Sequence, residues 1–130
     1  MTTNNNIPKL RLWISYILQG IIVIMLLMGA FNNLLMTEMA VTGAKEMGYP
    51  EYSVHYLGII LLVSTLLYAI PKTAFIGAIL LTGWLGGAVA THIIHGDPLY
   101  NMFFPIVFGI VVWTCLLLRH KKMCEVLLNR

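Results

Sequence analysis

Hydrophobic residues fall in four long runs along this chain, Trp13 to Met36, Val54 to Ile70, Ala74 to His95 and Leu99 to Leu118, and none contains Asp, Glu, Lys or Arg. A helix needs about 20 residues to cross a hydrocarbon core roughly 30 Å thick. The pattern therefore predicts an all-α membrane protein, a four-transmembrane-helix bundle that occupies residues 1–130 as a single integral membrane domain. Breakers separate the runs: Pro50 before the second, Pro71 in the short "IPKT" turn after it, and Gly96, Asp97 and Pro98 between the third and fourth. So short a turn at Pro71 predicts an antiparallel hairpin. Asp97, just before Pro98, reads as a cap for the fourth helix, with the proline in its first turn. The longest connection, "TEMAVTGAKEMGYPEYS" from Thr37 to Ser53, holds enough Met, Ala and Val to lie as a short helix on the interface, or to cover the mouth of the bundle.

Composition agrees, with 59% hydrophobic and 10% charged residues among 130. The first run is too long for a signal-peptide core and lacks a small-residue cleavage site, so it reads as a retained span. Lys9, Arg11, Lys72, Arg119, Lys121, Lys122 and Arg130 lie on one side of the predicted bundle and only Lys45 on the other, seven against one. The positive-inside rule then puts both termini in the cytoplasm of a multi-pass bacterial inner-membrane protein. Its basic balance suits lipid headgroups and needs no nucleic acid. Cys115 and Cys124 have no paired-thiol spacing.

This topology gathers polar side chains at the outer end: Asn32, Asn33 and Glu38, then Tyr49, Glu51 and His55, then Thr91, His92, His95 and Asp97. Gly83, Gly87 and Thr91 recur every four positions, a spacing that lets another helix approach closely. His92 lies about a turn inside the helix end, near that packed face, and is expected to be more buried than His95. An inward polar group in a membrane marks a functional site. His92 is thus the candidate catalytic residue, a proton donor or acceptor, and Asn33, Glu38, His55, Thr91 and His95 are candidate ligand-binding residues. A quinone or other small lipophilic molecule would suit such groups. Histidines at i, i+3 can share a metal, but no HExxH-like signature supplies further ligands, and the spacing selects no metal. Trp13, Trp84 and Trp113 read as boundary, packing or lipid-contact residues, and the eight methionines as flexible apolar packing.

The segments "ILQGIIVIMLLMGAFNNLL", "GYPEY" with "LGIILLVSTLLYAIPKTAFIGAILL", and "ATHIIHGD" carry a family likeness over nearly the whole chain. It resembles the DoxX-like family of small four-helix bacterial membrane proteins. The resemblance implies a four-helix fold and a role as a subunit or partner of a redox system, with Thr91 and His92 matching the family's T-H at the end of the third helix. The chain departs from relatives that carry a lysine late in the first helix and a glutamate in the second; here stand Asn32 and an apolar stretch around Leu61. The leading expectation is a redox-linked membrane protein with an outward-facing polar pocket, serving a membrane oxidoreductase system as a subunit. The others are a non-catalytic anchoring or partner-binding subunit and, as a homo-oligomer, a small-molecule transporter.

Overall fold

The computed structural model describes residues 8–128. Helices α1 (Lys9–Leu34), α3 (Glu51–Ala69), α4 (Ala74–His95) and α5 (Leu99–Arg119) are each long and apolar enough to cross a membrane. Two short helices join them, α2 (Glu38–Glu46) in the long connection and α6 (Lys121–Leu128) after α5. The spanning helices form a ring in which α1 packs on α3 and α5, and α4 on α3 and α5. Helix α2 lies across α1 and α3 at one end, while α6 leans on α5 at the end where α1 begins.

The element limits follow local chemistry. Helix α1 starts earlier than the apolar run because Lys9 and Arg11 join its first turn, where long basic stems can reach headgroup level. It ends before Met36, whose φ of +51° breaks the helix. Thr37 then caps α2, its side chain accepting from the Ala40 amide at 3.2 Å. Helix α3 begins directly after Pro50. Helix α6 is not expected from the charged tail, yet Met123 and Leu127 share a helical face there and Met123 packs against the core.

Side chains on the outer surface of the spans are apolar and exposed, as in Ile17, Ile21, Ile24 and Met28 of α1, which leaves lipid to cover them. Inside, two close approaches fix the ring. A Cβ on Gly58 would come 2.9 Å from both Asn33 Cβ and Leu34 N of α1, and one on Gly77 would strike the Tyr68 backbone across the α3–α4 hairpin. Buried polar groups tie the half of the bundle nearer the termini. Ser15 donates to the Cys115 carbonyl at 2.8 Å, Gln19 to the Tyr68 carbonyl at 2.9 Å, and the Tyr68 hydroxyl to the Val112 carbonyl at 2.8 Å. Each reaches a different helix, so α1, α3 and α5 are cross-linked where hydrocarbon offers no alternative partner. Cys115 and Cys124 are free thiols.

Candidate functional site

The opposite half of the bundle does not close. A cavity of about 420 Å³ lies under α2, with Met39, Ala40, Gly43, Ala44 and Met47 as its roof. Asn33 of α1, Tyr49 and Leu57 before and in α3, and Gly83, Trp84, Gly87, Ala88, Thr91 and His92 of α4 complete the wall. The glycine stripe of α4 is the reason for the space. A Cβ at Gly83 or Gly87 would meet nothing within 4 Å, so these residues do not seat a neighbouring helix as their spacing predicts, and instead hollow the wall. Trp84 likewise contributes to the cavity rather than only to packing or lipid contact. Its indole Nε1 is buried without a partner among the described residues.

Two hydrogen-bonded groups frame the polar part. Thr91 donates its only hydroxyl proton to the Gly87 carbonyl at 2.8 Å, so the Tyr49 hydroxyl must be the donor in its bond to Thr91 Oγ1. This bond ties the segment leading into α3 to the wall of α4. The second group is built by the end of α4. Gly96 takes a φ of +80°, a conformation glycine adopts without penalty, and the Asp97 amide returns to the His92 carbonyl at 3.0 Å. The turn carries the Asp97 carboxylate back over the helix end, where Oδ2 lies 2.6 Å from His92 Nδ1 and Oδ1 lies 2.7 Å from His95 Nδ1. Asp97 therefore does not cap α5, whose cap position is Pro98 with no side-chain bond. The two imidazoles occupy the carboxylate instead.

These bonds assign protons. A carboxylate only accepts, so His92 donates from Nδ1 and its Nε2 is left with a lone pair when the ring is neutral and a proton when it is charged. Hydrogen bonds from His92 first and His95 second hold the Asp97 carboxyl below the usual aspartate range. The His92 side chain is 23% exposed against 40% for His95, in the order expected from their positions on α4.

Of the residues singled out in the sequence, Asn33, Thr91 and His92 are brought together around the cavity. His95, outside the lining, is tied to His92 through Asp97. Glu38 is exposed in the first turn of α2, and His55 is exposed on α3 with its ring 6.4 Å from that of Tyr56, both outside the lining. Sequence reasoning missed the roof residues, although Ala40, Gly43, Ala44 and Met47 repeat at the i, i+3, i+4, i+7 spacing of a buried helical face. Among the described residues no three His, Cys, Asp or Glu side chains are grouped to hold a metal ion.

A profile of the family described as DoxX-like matches residues 17–115, from the third turn of α1 to late in α5. No curated protein and no solved structure matches the chain.

Proposed function

The chain belongs to the DoxX-like family, and from that premise we propose that it binds a small lipophilic molecule with a carbonyl or hydroxyl head, a quinone in the first instance, in the cavity beneath α2. The observation that carries this reading is His92 on the cavity wall with its Nδ1 held by Asp97. A histidine fixed in this way offers Nε2 alone to a ligand, as proton donor or acceptor according to its charge. Asn33 supplies both amide hydrogens and an acceptor oxygen, and Met39, Leu57 and Trp84 supply apolar surface for a ring.

The redox link is a partnership. Reducing a quinone to a quinol takes two electrons, which a partner oxidoreductase supplies, and two protons. His92 hands one proton from Nε2 to a quinone oxygen and is reloaded from water at the α2 end, and water supplies the other. The protein itself binds, orients the head group and moves that proton.

Purification from native membrane with mass spectrometry of what accompanies the chain tests the ligand class directly. Titration of the purified chain with decyl-benzoquinone, read by quenching of tryptophan emission, tests the site, because Trp84 is in the wall. His92→Ala is expected to weaken binding about tenfold, the cost of one hydrogen bond to a charged or polar group. Gly87→Leu, which fills open space, should weaken it further while leaving the melting temperature near that of the parent. Unchanged binding in both variants would remove the cavity from the mechanism. A stoichiometric protein partner without any bound small molecule would favour the anchoring subunit.

A further inference from the structure

At the end of the bundle opposite α2, a second cavity of about 230 Å³ is lined by Tyr16, Gln19, Gly20, Val23, Ala69, Pro71 and Arg119. The Arg119 guanidinium carbon lies 4.8 Å from the centre of the Tyr16 ring. Among the described residues its buried Nε has no hydrogen-bond partner, and none of their ion pairs involves it. Gln19 does not relieve it: its amide nitrogen donates to the Tyr68 carbonyl, and among the described residues no acceptor, the Gln19 oxygen included, takes a hydrogen bond from Arg119 Nε. The neighbouring Arg11 differs: its guanidinium donates to the Leu117 carbonyl at 3.3 Å, in the last turn of α5. Arg119 has therefore lost part of its hydration without gaining a carboxylate, a costly state for a charge at the edge of the hydrocarbon.

The surroundings favour an anion. Lys9, Arg11, Lys72, Lys121 and Lys122 share this end, against Glu125 as the acidic residue among the described ones there. The cavity also continues toward the membrane interior along Gly20 and Val23, and a Cβ at Gly20 would meet nothing within 4 Å. A charged head with an apolar groove beneath it has the shape of a phospholipid rather than of a free ion.

We propose that this cavity is a specific site for an anionic glycerophospholipid, whose phosphodiester is held by Arg119 and whose first acyl carbons lie along Gly20. The phosphate oxygens complete the guanidinium's hydrogen bonding, and Tyr16 keeps the guanidinium plane in place by stacking. A zwitterionic lipid carries the same phosphate but brings a quaternary ammonium beside the Arg119 charge that holds that phosphate, so it binds less well. Basic recesses between spanning helices are suited to this kind of recognition.

Native mass spectrometry of the full chain in detergent, titrated with dioctanoyl phosphatidylglycerol, dioctanoyl phosphatidylcholine or inorganic phosphate, tests the site. The expected result is phosphatidylglycerol bound about tenfold more tightly than phosphatidylcholine, with inorganic phosphate far weaker than either. Arg119→Gln should bring phosphatidylglycerol down to the level of phosphatidylcholine, whereas Lys121→Gln with Lys122→Gln should keep most of the preference. Gly20→Leu should lose both lipids, and it tests the same cavity should Arg119→Gln prevent folding. Equal affinity for the two lipids in the parent chain, a preference that survives Arg119→Gln or Gly20→Leu, or a preference that vanishes with the lysine pair instead would overturn the specific site. Inorganic phosphate binding as tightly as phosphatidylglycerol would overturn it too, leaving an anion site without lipid recognition.

Discussion

Asp97 is the side chain on which the end of α4 depends. Its carboxyl is held below the ordinary range by hydrogen bonds from His92 and then His95. An aspartate in an unfolded chain titrates near 3.9. A lowered folded value means that Asp97 contributes stability fully above about pH 4, and that this contribution is lost as pH falls through the lowered value. Thermal unfolding in detergent from pH 7 to pH 3 is therefore expected to show a drop at the acid end that Asp97→Asn flattens; an identical acid slope in that variant would assign the drop elsewhere. Gln19 gives a second residue-level expectation. Gln19→Ala leaves the buried Tyr68 carbonyl without its donor, and a loss of about 1 kcal/mol in denaturant titration is expected, the size measured for polar contacts between membrane helices. The residues of this site were only partly legible in the sequence. Asn33, Thr91 and His92 could be placed together because topology puts three helix ends at one level. The Asp97 carboxylate could not, because its choice between capping α5 and bridging two histidines depends on the φ of Gly96 and the direction in which the turn carries the side chain.

At the scale of elements, the glycines of α4 separate two kinds of space that share one composition. Gly77 faces the Tyr68 backbone and Gly83 faces the cavity, although both are small residues in the same apolar helix. Gly77→Ala forces α3 and α4 apart and is expected to cost about 3 kcal/mol, the upper range for overpacking. Gly83→Ala exchanges open space for a methyl group and removes a helix-destabilising residue, so its unfolding midpoint should equal or exceed that of the parent. Comparable losses in the two variants would mean that α4 packs closely along its whole length. This difference also explains what the sequence could and could not convey about the elements. Four uninterrupted apolar runs and the proline and glycine breaks were sufficient for the spanning helices, because lipid forces every backbone group in a span to bond within the helix. Spacing alone could not say whether a small residue meets a helix or a void, since that depends on where α2 sits. The tail helix α6 was hidden for a related reason: Lys121 and Lys122 dominate its composition, while a few apolar residues decide its docking on α5.

The whole molecule is polarised along the bundle axis. One end carries the cavity beneath α2 and the His92–Asp97–His95 group, and the other carries the buried polar cross-links, the second cavity and both described ends of the chain. Basic residues follow the same axis, with Lys45 isolated in the last turn of α2, in an exposed pair with Glu51 at 3.2 Å, a pair worth little to stability. If retention of positive charge during insertion decides the orientation, α2 faces away from the cytoplasm. The chain carries its own probe for this. Cys124 is half-buried on α6, and Cys115 is fully buried and silent to aqueous reagents. Thr42 is exposed on α2 and outside the cavity lining, so Thr42→Cys adds a thiol at the other end without disturbing the site. A membrane-impermeant maleimide applied to sealed cells is expected to label the Thr42→Cys variant at once, and Cys124 only after the membrane is opened. The reverse pattern would invert the bundle, and with it two further assignments: His92 would exchange protons with the cytoplasm, and the lipid at Arg119 would come from the outer leaflet, where the anionic headgroups that its charge selects would have to be supplied.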